Sequence, residues 1–408
     1  METVSSGWVR LRAAAATRVA ALLFAVVLSP ASPAHAQVPG FLQVGSRLTW
    51  QAGGSSLEGS RLVPNPNGWL WQNGQWNQLE STYGGGGVGY TQVNIVGAGP
   101  DGLVGDVRSF LNTDLNAGTF VQSGVDAVVG DLSGLLPYWR SPTQLAALPE
   151  GFDGLTSVKR GPRVFGGATY DTISIATMAQ GSYTSHVYDA ATGLLLFGGS
   201  MDAQPGVLTV GPDGAVLQQN RGSVNYTHLL FAGARQLQVP WAGAALPAWL
   251  APGASLAYQG QSRGEMAGSG LPPLPGSALS VGFAFDGAVA GALVGRYWTQ
   301  LANSAGLPPD QSVTLRAVGS AAFDGPWLPP EGLARLAPGQ VLDQDPLTGQ
   351  VAYFAGVQDG YPAIVVGGST DDLTQYYDPQ TGLMVFSRYR KLAPGIGMQV
   401  NEVWYAGQ

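Results

Sequence analysis

Two histidines, His186 and His228, and two lysines, Lys159 and Lys391, are the conventional bases available beyond His35 near the start of the chain. No Gly-x-Ser-x-Gly elbow accompanies either histidine, and the two do not share a metal-ligand spacing. Paired carboxylates occur at Asp343/Asp345 and Asp371/Asp372. The first pair opens an Asp-x-Asp-x-x-x-Gly stretch resembling half of a calcium loop, but it lacks the third ligand, the central Gly and the closing Glu of that loop. An Asx turn accounts for Thr348 and Gly349 with no metal, so no metal and no cofactor are expected. A carboxylate-dependent hydrolase using Asp343 and Asp345 stays open as an alternative. Gly97, Gly99 and Gly102 follow the apolar run VNIV as in a dinucleotide fingerprint. That fingerprint works through a helix whose N-terminus meets the pyrophosphate, and VGDVRSFLNTDL carries no helical stripe. The spacing predicts a strand–turn–strand there.

Aromatic chemistry is better supplied. In NPNGWLWQNGQWNQL, Asn65 to Leu79, the dipeptide Asn73-Gly74 predicts a two-residue hairpin that sets Gln72 opposite Gln75 and Trp71 opposite Trp76. Trp69 shares their face, because side chains alternate along a strand. Trp69, Trp71 and Trp76, with Asn67 among the amides at the edge, are the candidate ligand-binding residues: a flat platform suited to stacking a sugar ring. Packing onto the domain beneath, or a wedge for a partner, would use the same strip. Gly68-Trp69…Asn73-Gly74-x-Trp76 resembles the choline-binding repeats of Gram-positive surface proteins over barely a dozen residues. Those repeats run in tandem, with aromatics where this chain has Asn77 and Gln78, and none of their function is carried over.

The elements that position these residues announce themselves by repetition. VYDAATGLLLF, from Val187, returns as YYDPQTGLMVF, from Tyr376. In each, Asp accepts from backbone N–H groups ahead of it and Gly supplies the left-handed residue that closes the turn. The same punctuation stands at Asp345-Pro-Leu-Thr-Gly349 and, degraded, at Asp153-Gly-Leu-Thr-Ser157. GSRLTWQ at Gly45 matches GASLAYQ at Gly253, Trp139 matches Trp327, and HLLFAG at His228 matches EVWYAG at Glu402. On this alignment His186 meets Gln375 and His228 meets Glu402. The expectation is mostly β: two tandem homologous antiparallel β domains (curved sheet, half-barrel or sandwich), each with one short helix. Ser141-Pro142 opens the first helix and Pro149 stops it; Pro330-Glu331 and Pro338 frame the second. The boundaries expected are 1–36 for a signal peptide, 37–245 for the first β domain and 246–408 for the second.

Arg10, Arg12 and Arg18 precede VAALLFAVVL, and Ala34-His35-Ala36 closes the segment, the pattern of a secretory signal cleaved before Gln37. The apolar run is too short for a spanning helix, and no later stretch is long enough. The chain has no Cys and carries a net charge of −7, which grows more negative once three arginines leave with only Glu2. Such a surface repels phosphate backbones, so nucleic acid is not expected as a partner. The basic clusters VKRGPR and RYRKL are expected on solvated loops and strand ends. The reading is an exported protein, periplasmic or extracellular, binding an apolar or carbohydrate ligand without catalysis. A structural cell-envelope component that self-associates, and an outer-membrane barrel, are the alternatives.

Overall fold

The computed structural model describes residues 39–407, apart from 59–60, 65–69, 73–74, 81–82, 101, 115–118, 131–133, 136, 180–181, 205–206, 211–215, 221–222, 266–275, 303–309, 369 and 394–396. The protein is mostly β, as expected, with two large antiparallel sheets of ten strands each. The first is built from β1 (Ser46–Glu58), β2 (Tyr83–Gly99), β3 (Gly102–Asp114), β4 (Thr119–Gly130), β5 (Gly151–Phe152), β6 (Thr156–Phe165), β7 (Ala168–Ala179), β8 (Ser182–Asp189), β9 (Leu195–Gln204) and β10 (Ser223–Gln236). The second uses β11 (Ser255–Glu265), β12 (Ser277–Val289), β13 (Ala292–Leu301), β14 (Asp310–Val318), β15 (Val341–Gln344), β16 (Val351–Gln358), β17 (Tyr361–Gly367), β18 (Asp371–Tyr377), β19 (Met384–Ala393) and β20 (Gly397–Gly407). Between the fourth and fifth strands of each sheet lies one short helix, α1 (Pro142–Ala147) or α2 (Pro330–Leu333).

The strand order is the same in both. The first sheet runs β5-β6-β7-β8-β9-β10-β1-β2-β3-β4, and adding ten to each label gives the second. First and last strands pair in the middle, and neither sheet closes into a barrel. The irregularities repeat as well. A β-bulge falls between Thr49 and Trp50 against β10, and between Ala257 and Tyr258 against β20. Another falls between Val187 and Tyr188, matched between Tyr376 and Tyr377. Bulges re-aim side chains at fixed points, so a shared set of them marks one backbone plan used twice.

The repeated phrase joins β8 to β9 and β18 to β19. Asp189 accepts from the Thr192 N–H at 3.2 Å, and Asp378 from the Thr381 N–H at 2.7 Å. Asp345 accepts from the Thr348 N–H at 2.9 Å and Asp153 from the Thr156 N–H at 2.6 Å, so all four turns share one device. Gly193 and Gly382 hold φ of 76° and 71° and press against the chain leading into the helix. The indole of Trp139 donates to the Thr192 carbonyl, and that of Trp327 to the Thr381 carbonyl. Tyr188 donates to the Pro137 carbonyl at 2.9 Å and Tyr377 to the Gly325 carbonyl at 3.1 Å. The turn therefore docks the helix segment onto the sheet. Arg160, expected in solvent, instead donates to the carbonyls of Leu145, Ala146 and Leu148 and satisfies the C-terminus of α1.

Each sheet curls around its helix. Val107 of β3 and Val158 of β6 share one apolar cluster with Leu145, Trp139 and Trp50. Seven strand spacings would set those two strands roughly 34 Å apart on a flat sheet. In the second sheet the curl goes further: Val318 of β14 and Leu342 of β15, at opposite edges, meet one cluster with Leu333 and Trp327. Leu237, Val239, Trp241 and Leu250, from the segment linking the sheets, are buried in that second cluster.

The two sheets also touch. Val96, Val104 and Ala127 pack on Ala292 and Ala317. Gly97 of the fingerprint-like stretch belongs to this seam, where an added Cβ would stand 2.9 Å from the Ala292 Cβ. The stretch is the strand–turn–strand expected, with Gly99 paired to Gly102.

Candidate functional site

Residues opposite one another in an antiparallel pair point to the same face, so register converts strands into rows of side chains. One row of the first sheet reads His186, Gly198, Leu229, Ala52, Gly89, Leu111. The next row on that face reads Thr184, Ser200, Thr227, Gly54, Gly87. Two residues along the strands in the other direction, the face is filled by Tyr188 and Trp50 and the helix behind them. Beyond that packed end the small side chains fill nothing, and a cavity of about 460 Å³ remains.

The second sheet repeats the pattern point for point. Its rows read Gln375, Ser387, Val403, Gly260, Leu279, Leu301 and Leu373, Tyr389, Asn401, Ser262. All of these except Gly260 line a cavity of about 500 Å³. Both volumes fall within the usual range for small-molecule pockets.

The two cavities differ in chemistry. The first is walled largely by glycines and by small or apolar residues, with Ser200, Thr227 and both histidines among its polar members. Burial, helped by Arg140, pushes the His186 imidazolium down to about 4, so the ring is neutral in ordinary conditions. In the second, Leu279, Val281, Phe283 and Val403 face Thr314, Arg316, Asp371 and Asn401. Burial raises the Asp371 carboxyl above its ordinary value. Burial and the nearby Asp371 charge likewise raise the Tyr389 hydroxyl. One wall comes from the first sheet: the Gln122 N–H of β4 donates to Asp371 at 3.3 Å, and the Tyr389 hydroxyl donates to the Gln122 carbonyl at 3.3 Å.

The candidate residues named from sequence fare unevenly. Trp71 pairs with Trp76, and Gln72 with Gln75, on short strands Leu70–Gln72 and Gln75–Glu80 as the hairpin signal required. Asn67 and Trp69 lie outside the described residues. Both histidines are among the residues lining the first cavity: His186 shares a row with Leu229, and His228, one residue along the strand, stacks on Tyr226. Asp343 and Asp345 are held by arginines. Arg47 donates to Asp343 and Asp345 at 3.1 and 3.0 Å, and Arg235 to the same two at 2.5 and 3.0 Å. Burial opposes the Asp345 charge. The Thr348 N–H, Arg47, Arg235 and Gln92 outweigh it and hold the carboxyl well below its usual range. Guanidinium groups thus take the oxygens a cation would need, and among the described residues no cluster of His, Cys, Asp or Glu is arranged to hold a metal. A second buried group, Arg108 with Asp106 and Asp324, also crosses the seam.

The cavity residues Gly54, Gly198, Ser387 and Asn401 went unnoticed in the sequence. The signal that finds them is the alignment of the two halves read together with strand register. The chain matches no protein-family model, and no curated protein matches it.

Proposed function

We propose that the protein is an exported, non-enzymatic binding protein whose two homologous β domains each hold a small ligand in the cavity of the inner face. The observation behind this reading is that one set of lattice positions stays unfilled in both sheets, although the sequences at those positions have diverged. Protein interiors pack to crystal-like density, and an unfilled core forfeits dispersion contacts. A space kept through divergence is economical only if something occupies it. The first cavity suits an apolar ligand, and the second one with polar groups on an apolar body. Export rests on the N-terminal pattern of residues 1–36. No described helix is long and apolar enough to cross a membrane. Open sheet edges fit poorly with immersion in lipid, where every backbone group must be paired, and this favours a binding protein over a barrel.

Gly198 and Ser387 occupy the same lattice point, and a Cβ on Gly198 would meet His186 and Leu229 at ordinary contact distances. Native mass spectrometry of the intact chain, with solvent extraction, tests the reading. One small molecule per cavity is expected, with Gly198→Leu losing the first and Ser387→Leu the second. Chains that carry nothing, bind nothing from lipid or glycan panels, and ignore both substitutions would overturn it.

A self-assembling envelope component is the second reading. Phe152 is 63% exposed and Val341 59% exposed, each on an edge strand. Unpaired edges with apolar side chains invite pairing with another chain. Sedimentation decides: a monomer at high concentration removes this reading.

A further inference from the structure

The two cavities differ most where the polar groups of the wall are, or are not, satisfied internally. In the first, Ser200 and Thr227 stand opposite each other with their hydroxyls 2.6 Å apart. At the same points of the second stand Tyr389 and Asn401. Tyr389 turns its hydroxyl to the Gln122 carbonyl, and the Asn401 Oδ1 has no hydrogen-bond partner among the described residues. Asp371 shows the same contrast. Its counterpart Ser182 donates to the Ala179 carbonyl. Asp371 is 3% exposed, its Oδ2 accepts from the Gln122 N–H, and its Oδ1 has no donor at bonding geometry among the described residues, the nearby Tyr389 hydroxyl being directed to the Gln122 carbonyl.

The remaining polar atoms of this kind on the wall do not alter the balance. Arg316 Nε lies 3.5 Å from the Asp106 carboxylate, so its charge is compensated. The Thr314 hydroxyl can donate or accept. What is left over is two buried acceptors on neighbouring parts of one wall, with Leu279, Val281, Phe283 and Val403 also lining the cavity. A buried acceptor left unpaired is costly, and a donating ligand recovers that cost.

We propose that the second cavity takes an amphiphile: an apolar body on the apolar wall and a head group that donates hydrogen bonds, an alcohol to Asp371 or Asn401 and an amine to either or both. This rests on the reading of the cavities as ligand sites. The first cavity has these positions satisfied internally, and the lining atom there without a partner among the described residues, His228 Nδ1, donates or accepts according to tautomer and does not make the distinction. An ammonium head, with three N–H donors, can serve both acceptors and adds a charge contact to Asp371, whereas an alcohol has one O–H and serves one of them at a time.

The test titrates the full chain by calorimetry with decanol, decylamine, decyl methyl ether and decanoate, all below micelle-forming concentrations. Decanol and decylamine are expected to bind about tenfold or more tightly than the ether, whose oxygen cannot donate, and than decanoate. Asp371→Ala and Asn401→Ala should each shrink the gap between amine and ether, and at least one of them the gap between alcohol and ether, while binding of the ether itself stays unchanged. An amine advantage lost in Asp371→Asn assigns the head as an ammonium; an alcohol that keeps pace with the amine assigns a hydroxyl. Equal binding of alcohol and ether to the unaltered protein overturns the proposal while leaving the cavity as a ligand site. Failure of all four to bind, the ether included, overturns the proposal, and together with no molecule retained by this cavity in native mass spectrometry it removes the ligand-site reading of the second cavity.

Discussion

His186 and Gln375 occupy one lattice point in two sheets, each the cross-strand neighbour of the residue that opens its cavity, Gly198 or Ser387. The imidazole is held neutral by burial and Arg140, with its value lowered from 6.5 to about 4, whereas the amide cannot titrate. A histidine that resists protonation when folded but accepts it when unfolded makes stability rise with pH between those two values. Denaturant titrations at intervals from pH 4 to 7 should therefore show the unaltered protein weakening on acidification through that window. His186→Gln should flatten that part of the profile. An unchanged profile would show that another group carries the dependence.

Asp371 has the opposite sign. Its carboxyl is raised by burial, so the folded state holds the proton more firmly than the unfolded one, and stability falls as pH climbs past the ordinary carboxylate range. Asp371→Asn keeps an acceptor for the Gln122 N–H and removes the charge. Melting temperature without added ligand should rise at pH 7 and match the unaltered protein near pH 3, where both carry a neutral group.

A methyl group at either docking turn should be costly. A Cβ on Gly193 would fall 1.8 Å from the Arg140 carbonyl oxygen, and one on Gly382 1.9 Å from that of Leu328, both at left-handed φ. The conformation alone costs about 1–2 kcal/mol for a residue with a Cβ, before the contact with backbone is counted. Gly193→Ala and Gly382→Ala are each expected to lose about 3 kcal/mol or more in denaturant unfolding. Gly243→Ala, with left-handed φ but open space around it, should lose less.

The arginine clamp at the seam gives a further check. Arg47 is buried with Asp343 and Asp345, and removing one partner of a buried ion cluster costs about 3–5 kcal/mol. Arg47→Met should show a loss on that scale, and Arg235→Met, with its side chain 29% exposed, a smaller one. Calcium should leave the melting temperature unchanged, since the carboxylates are already engaged. A rise with calcium would reveal a metal site at Asp343 and Asp345, against the expectation from the sequence.

What the sequence disclosed follows the range of the interactions. The Asp–Gly turns, Trp139 with Trp327 and the paired helices were legible because each depends on neighbours a few residues away, and backbone geometry restricts which residues serve. The hairpin register Trp71 to Trp76 was legible for the same reason. Asp343 and Asp345 were half legible: the turn at Asp345 follows from Thr348 and Gly349 close by, while the arginines that pair both carboxylates, Arg47 and Arg235, lie far off in the chain. Arg160 looked like a solvated cation until folding brought the end of α1 to it. The cavities were hidden more thoroughly, since Gly198 or Ser387 reads as filler until register shows what it fails to fill.

Gln122 belongs to the first copy yet completes the wall of the second. Descent from a single ancestral unit would normally leave each half free to be traded, truncated or reused. Here a borrowed peptide group has cancelled that freedom: the second sheet severed from the first would lose one side of its chamber. The two halves have become obligate tenants of one building.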